Sequence, residues 1–276
     1  MLNIGKFNTL KISKIVDFGV YLDGGNGIDI LLPSRYITDT PIVGKEIKVF
    51  IYNDSEDRLI ATTEQPYTEV GKFAYLKVKS INRFGAFIEW GLMKDLLVPF
   101  SEQSSRMKEN KRYLVYTYLD DTTKRIVASS KINKFLGNTI PNYSKGDNVD
   151  CLVYEETEIG YKLIVDNLHK GMIYKNEIFQ NIDIEDRFNG YVKQVRDDGK
   201  IDIVFGDKAE NRIKVLSERF LKFIEINGGT TSICDKSTPE EIKSILQCSK
   251  KDLKKAIGYL YKSRHIIIHE DKITLS

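Results

Sequence analysis

Hydrophobic and polar residues alternate in short runs along most of the chain. From Tyr75 to Ile81, apolar residues alternate with polar ones, which is the period of a half-buried β-strand. Gly85 interrupts this pattern, and a second alternating run then points Ala86 and Ile88 inward. Three further runs follow, at residues 95–99, 113–118 and 124–129. Five antiparallel strands in about 65 residues, with a glycine bend between the first two, predict a small Greek-key barrel of the OB type.

The same pattern occurs more than once, which predicts a repeat. Phe18 and Gly19 recur 66 residues later as Phe84 and Gly85, and Tyr21 corresponds to Phe87 at the same offset. A weaker third copy lies 75 residues further on, where Gly160 corresponds to Gly85. We interpret these glycines as barrel-bend residues rather than ligand contacts. The three predicted tandem barrels span residues 1–66, 67–137 and 138–215.

The final part of the chain, residues 216–276, has helical spacing instead. Thr238-Pro239 and Ser249 are typical helix starts, and the two helices that follow are predicted to bury faces that include Ile245 and Tyr261. Two apolar runs, 266–268 and 273–275, flank a polar turn and predict a hairpin. Helices followed by a hairpin predict a winged-helix domain. The fold class is therefore mainly β, with a C-terminal α/β module.

The segment from Arg83 to Ile88 resembles the S1-type RNA-binding domain, whose second strand commonly opens with Phe-Gly-Ala-Phe. Three such barrels followed by a winged helix resemble the bacterial conserved virulence factor B family of RNA-binding regulators. The resemblance covers nearly the full chain and is most specific in the second barrel and in residues 249–256. It implies a single-stranded RNA ligand and a role in regulating gene expression after transcription.

The resemblance also implies which residues contact RNA. S1-type domains use two aromatic residues, a polar or aromatic residue on the third strand, and a basic residue that opens the fifth strand. The matching residues are Phe18, Tyr21 and Arg58 in the first barrel, Phe84, Phe87 and Arg125 in the second, and Tyr174 and Lys200 in the third. This chain departs from the pattern at Pro33 and Pro99 on the third strands, and at Ile159 and Lys162, which replace the aromatics of the third barrel.

The distribution of charge supports the second barrel and the winged helix as the nucleic-acid-binding segments. The net charge is only +3, which excludes a uniformly basic protein. Residues 67–137 nevertheless hold 13 basic and 7 acidic residues, and residues 216–276 hold 11 basic and 8 acidic residues. Residues 1–66, in contrast, hold 7 basic and 9 acidic residues. Arg83 and Lys124 add positive charge beside the second-barrel aromatics. Exposed aromatics in tandem barrels can instead pack between domains. This alternative applies to the candidate stacking residues Phe18, Tyr21, Phe84 and Phe87, and also to Trp90 and Tyr36.

Four lysines are predicted to form one basic face of the last helix: Lys250, Lys251, Lys254 and Lys255. Such a face contacts phosphate in some proteins and is a solvated surface in others. The helix has no arginine before Arg264, and bidentate readout of guanine favours arginine. We therefore do not expect this module to read duplex DNA.

The sequence contains no pattern typical of catalysis or metal binding. It has three histidines and three widely spaced cysteines, without the spacing of a zinc site or of a disulfide framework. His169 is placed in a turn. We predict a non-enzymatic protein with no cofactor, no metal and no membrane span, located in the cytoplasm. A protein-interaction scaffold that docks on a ribosomal or RNA-degradation assembly is the alternative, and ribosomal or RNA-processing proteins are then its partners.

Overall fold

The computed structural model describes residues 2–178, 181–205 and 209–276, and most of them lie in three closed barrels. The strands of the first barrel are β1 (Phe7–Val16), β2 (Gly19–Asp23), β3 (Asp29–Pro33), β4 (Glu46–Asn53) and β5 (Leu59–Thr62). Those of the second are β6 (Phe73–Asn82), β7 (Gly85–Glu89), β8 (Leu96–Pro99), β9 (Arg112–Leu119) and β10 (Ile126–Ser129). Those of the third are β11 (Asn148–Glu156), β12 (Gly160–Val165), β13 (His169–Tyr174), β14 (Arg187–Val195) and β15 (Ile201–Phe205).

All three barrels share one topology. The first three strands are joined as an antiparallel meander, and the fifth strand lies between the third and the fourth, parallel to the third. The fourth strand then pairs with the first and closes the barrel. This is the five-stranded Greek-key arrangement of an OB fold, so the predicted fold class is confirmed.

A β-bulge in the first strand of each barrel gives independent support for the repeat. The strand register shifts around Ser13 in β1, Lys79 in β6 and Tyr154 in β11. These residues are related by the same offsets, 66 and 75, that relate the glycines of the sequence repeat. Because a bulge bends a strand and increases its twist, each first strand can pair with two neighbours around a small barrel.

Glycine is required where the second strand of each barrel begins. A Cβ atom on Gly19, Gly85 or Gly160 would lie 2.1 to 2.2 Å from a carbonyl oxygen of the third strand. No side chain fits at that distance, so the strands approach this closely only when glycine is present. The close approach of the second and third strands therefore explains these three glycines as barrel-bend residues.

The C-terminal region contains helices α1 (Ala209–Ile226), α2 (Pro239–Leu246) and α3 (Lys250–Lys262), and short strands β16 (Thr230–Thr231), β17 (Ile266–Ile268) and β18 (Ile273–Leu275). The strands form a sheet in the order β16-β18-β17. Thr238 caps α2 through a reciprocal pair of hydrogen bonds with Glu241, and the Ser249 hydroxyl accepts a bond from the Asp252 amide at the start of α3. The two helix starts are where the sequence predicted them.

Three details of this C-terminal half differ from expectation. Ile245 and Tyr261 are exposed, because α2 buries only Ile242 and Leu246, and because Tyr261 follows directly after the buried stripe that ends at Leu260. His169 begins β13 instead of lying in a turn, since Asp166 and Asn167 form the turn with positive φ angles. Helix α1 begins at Ala209, before residue 216, from which the sequence showed helical spacing.

Candidate nucleic-acid interface

Phe84 and Phe87, the two candidate stacking residues of the second barrel, lie at its bend and on the strand that follows. Phe84 belongs to the turn between β6 and β7, which is held by a 2.8 Å hydrogen bond from its amide to the Asn82 side chain. Its ring is 57% exposed, and the Arg83 guanidinium lies 4.8 Å from the ring centroid. Phe87 follows on β7 and is half-buried. A large exposed ring beside a cation is a surface on which a planar ligand can stack.

Both rings line a cleft of about 300 Å³ between the first and second barrels. Basic side chains enter this cleft from two other elements of the second barrel: Arg125 from the start of β10 and Lys94 from the loop before β8. The opposite wall is the turn between β4 and β5 of the first barrel. The remaining lining residues are Tyr52, Asn53, Ser55, Asp57, Trp90, Asp95, Leu96, Leu97, Ile126 and Val127.

Trp90 fixes the two barrels to each other at the base of this cleft. It is 2% exposed, and its ring meets Phe50 and Tyr52 of the first barrel edge-on, at centroid distances of 5.8 and 6.3 Å. Its indole nitrogen donates a 2.6 Å hydrogen bond to the Lys94 carbonyl oxygen. The Lys94 ammonium in turn donates to the Asp54 carbonyl oxygen at 2.6 Å. Trp90 therefore packs between domains, the alternative that the sequence left open.

Tyr36, the second aromatic for which that alternative was raised, is buried in the core of the first barrel. It neighbours Tyr52, and burial raises the pKa of the Tyr52 phenol. The phenol therefore stays protonated at neutral pH. Tyr52 adds no charge to the cleft that it lines.

The structure brings the predicted residues of the first barrel together as well. Phe18 is exposed, and its ring lies 6.4 Å from that of Tyr21 in an edge-on arrangement. Arg58, however, is paired with two carboxylates of its own turn, Asp54 at 2.8 Å and Glu56 at 2.9 Å. The hydrogen bond to Asp54 raises the pKa of the Arg58 guanidinium. The first barrel thus has the basic residue that opens the fifth strand, but the carboxylates of Asp54 and Glu56 neutralise its charge.

In the third barrel, Ile159 is an exposed apolar residue at the first aromatic position, and the other candidate residues are engaged in polar contacts. Lys162, which replaces Phe87, contacts Glu155 at 2.6 Å. The Tyr174 hydroxyl accepts a 2.5 Å hydrogen bond from Arg196, which is also paired with the buried Asp202. Lys200 contacts Asp198 at 2.7 Å. Tyr174 and Lys200 are therefore engaged in contacts within the barrel.

On α3, the four predicted lysines divide into two groups. Lys251, Lys254 and Lys255 are exposed on one face, whereas Lys250 is half-buried and donates a 3.0 Å hydrogen bond to the Ser237 carbonyl oxygen. All lie in the first two turns, where positive charge is unfavourable for the helix dipole. The exposed face consequently has three lysines.

Sequence reasoning missed Lys94 and the acidic side of the cleft. Lys94 precedes the repeated Asp95 in an irregular loop, so no strand period marks it. Asp57 belongs to the other barrel, and only the packing around Trp90 brings it to Arg125, with which it forms an ion pair. Lys124 is exposed beside Arg125, as predicted.

Within the described part of the chain, no group of three or more histidine, cysteine or acidic side chains is arranged to hold a metal ion. All three cysteines lie in that part, are buried, and are free. Burial raises the pKa of the Cys151 thiol to about 12 and that of Cys248 to about 11. Both are therefore unreactive thiols at neutral pH. Among the described helices, none has the length and apolar character needed to cross a bilayer.

Comparison with protein families identifies both ends of the chain. The family model described as S1 domain matches residues 4–64, which contain the first barrel. The model described as CvfB-like winged helix domain matches residues 218–275. An S1 domain and a winged-helix domain together indicate nucleic-acid binding.

Curated relatives match almost the whole chain. YitL of Bacillus subtilis is 27% identical over 269 residues, which cover 94% of this chain and 89% of that protein. Conserved virulence factor B of Staphylococcus aureus is 25% identical over 282 residues, covering 99% and 94% respectively. A solved structure from Streptococcus pneumoniae, described as a multidomain protein with nucleic acid binding domains, aligns with a TM-score of 0.41 and 21% identity over 99% of this chain and 98% of that one.

Proposed function

We propose that this chain, which belongs to the conserved virulence factor B family, binds single-stranded RNA without catalysing a reaction on it and regulates gene expression after transcription. The observation that carries the proposal is the cleft between the first and second barrels. There, two aromatic rings, Phe84 and Phe87, and two cations, Arg125 and Lys94, converge on one space. Rings bind bases, cations bind phosphates, and a single strand of nucleic acid offers both.

Stacking accounts for a preference for single strands. A base can lie on Phe84 or Phe87 only when it is not stacked inside a duplex. Each such contact is worth about 1–3 kcal/mol and tolerates any base, because every base has a planar face. Modest base preference is therefore expected from these rings.

Phosphate attraction supplies the rest of the affinity. Arg83 and Lys124 are exposed beside the cleft, and the exposed lysines of α3 offer a second basic surface. Contacts of this kind release counterions, so that binding weakens steeply with salt. Linkage of several weak sites in one chain raises the effective concentration of each, and the summed avidity exceeds that of any single site.

The first test compares two phenylalanines with similar local surroundings. Phe84 and Phe100 are both exposed on the second barrel with a guanidinium over the ring, at 4.8 Å for Arg83 and 5.1 Å for Arg106. Only Phe84 lines the cleft. In fluorescence anisotropy with labelled single-stranded RNA, Phe84→Ala should weaken binding about 5- to 160-fold, the loss of one stacked base, whereas Phe100→Ala should bind like the parent.

Equal RNA affinities of the two variants would show that Phe84 does not stack on a base. Matched single-stranded and duplex DNA belong in the same salt series, because preferential duplex binding would shift the function to the winged helix. Absence of binding to all of these probes would favour the interaction scaffold. Incubation of the RNA with the protein and Mg²⁺, followed by gel analysis, tests the non-catalytic part of the proposal, which predicts intact RNA.

A further inference from the structure

The turn between β4 and β5 of the first barrel, which we call the acidic turn (residues 54–57), places three carboxylates against the basic residues of both barrels. Asp54 and Glu56 contact Arg58. Asp57 contacts Arg125 of the second barrel and lies 3.5 Å from the Lys94 ammonium. The two arginines that open the fifth strands of these barrels are thus both paired with this one turn.

The turn holds Asp57 in place through its own backbone. The Asp54 carboxylate accepts hydrogen bonds from the amides of Glu56 and Arg58, at 2.9 and 3.0 Å, and the Asp57 amide donates to the Asp54 carbonyl oxygen at 3.1 Å. Asp57 has a left-handed backbone conformation, with φ of 63°. Because the turn is fixed in this way, its last carboxylate lines the cleft on the side opposite the rings, with its side chain 39% exposed.

The equivalent turn of the second barrel has the opposite charge at this position. There, the residue just before the strand-opening arginine is Lys124, which has a similar left-handed φ of 56°. The second turn is one residue longer, but the last residue of each turn has the same left-handed conformation and is an acid in one case and a base in the other. The left-handed conformation therefore does not require a carboxylate at residue 57, whereas the contacts to Arg125 and Lys94 use its charge.

We propose that Asp57 is a specificity-determining residue that competes with phosphate for Arg125 and Lys94, so that only polyanions that also stack on Phe84 and Phe87 bind tightly. This inference rests on the proposed function. In the free protein, the Asp57 carboxylate takes the place of a phosphate. A strand that enters the cleft exchanges one anion for another at these cations and gains little from charge alone. Its net affinity there comes from the bases, which a bare polyanion lacks.

The experiment uses two labelled probes of equal length, a single-stranded oligoribonucleotide and an abasic oligonucleotide with the same number of phosphates. Asp57→Asn keeps the shape of the side chain and removes its charge. It should strengthen RNA binding about 3- to 10-fold, as expected for releasing exposed ion pairs, and should strengthen abasic binding by a larger factor. The slope of log affinity against log salt should steepen by about 0.7 for each additional phosphate that the variant neutralises.

Asp121→Asn is the matched control, because Asp121 is exposed in the equivalent turn of the second barrel, does not line the cleft, and loses the same charge on substitution. It should change either affinity by less than about twofold, since exposed charges in water are screened. Addition of Arg125→Ala to Asp57→Asn should abolish most of the increase in affinity. Thermal unfolding of each variant checks that the barrels remain folded.

Unchanged or weaker RNA binding by Asp57→Asn would overturn the competition, since Asp57 would then only position its cations. An equal increase in both Asn variants would overturn it too, because the effect would be one of overall charge. In either case, a parent protein that binds RNA and loses affinity on Phe84→Ala keeps the proposed function intact. A parent protein and an Asp57→Asn variant that both fail to bind RNA would overturn both.

Discussion

At the scale of single residues, the cleft is lined in part by side chains that stay partly exposed instead of being buried in a core. Phe84 is 57% exposed, although a ring of its size would contribute more to stability inside a core. Asp57 is held against two cations that belong to another barrel. Neither side chain contributes to a hydrophobic core, and both contribute to the cleft.

His169 gives a prediction of pH dependence. It is buried in the third barrel, 5.4 Å edge-on from the Tyr143 ring, and burial lowers its pKa from the ordinary value of 6.5. The unfolded chain therefore binds a proton at a higher pH than the folded chain does. The free energy of unfolding should fall as pH drops below 6.5 and continue to fall until the lowered pKa is reached.

Urea unfolding of the full chain across this pH range, with His169→Gln as the uncharged comparison, measures the effect. The difference in stability between parent and variant should shrink on acidification. A difference that is constant with pH would show that His169 does not titrate on unfolding.

At the scale of elements, the closest strand contacts depend on glycine, and this yields a stability prediction. Gly85→Ala places a Cβ 2.2 Å from the Val98 carbonyl oxygen, so β7 and β8 must separate. We expect a loss of about 2 kcal/mol or more in the free energy of unfolding, typical of substitutions that strain the backbone.

Gly258 is the opposite case and serves as its control. It lies within α3, and a Cβ there would meet nothing within 4 Å. Gly258→Ala should stabilise the chain by about 0.5–1 kcal/mol, because alanine loses less conformational entropy than glycine in a helix. Denaturant unfolding of both variants should give changes of opposite sign. Changes of the same sign would contradict the role assigned to Gly85.

The elements themselves could be predicted from local sequence. The alternation in β6 and β7 indicated which residues point inward, and the capping residues Thr238 and Ser249 marked two helix starts. What failed was the width of the buried helix faces. Ile245 and Tyr261 have apolar side chains at helical spacing, yet a short helix on a small core buries a narrow stripe, and neither residue lies on it.

At the scale of the whole molecule, sequence reasoning reached three barrels and a winged helix but only one side of the candidate site. Phe84, Phe87 and Arg125 lie within one repeat, so the resemblance of that repeat to S1-type domains was enough to select them. Asp57 and Lys94 meet through packing between two barrels, and no period or motif records such a contact. The strong signal for that packing was Trp90, an aromatic residue directly after an alternating strand, whose partners only the structure identifies.

Trp90 also provides the most direct measurement of the central claim, that single-stranded RNA binds in the cleft between the first and second barrels. It is the single tryptophan of the chain, and it lines the cleft, so its emission reports on the environment at the base of that cleft. Titration with single-stranded RNA should change Trp90 fluorescence with the same Kd as anisotropy, and Phe84→Ala or Phe87→Ala should weaken both signals together. RNA binding that saturates in anisotropy while Trp90 emission stays constant would place the RNA elsewhere on the protein and contradict the claim.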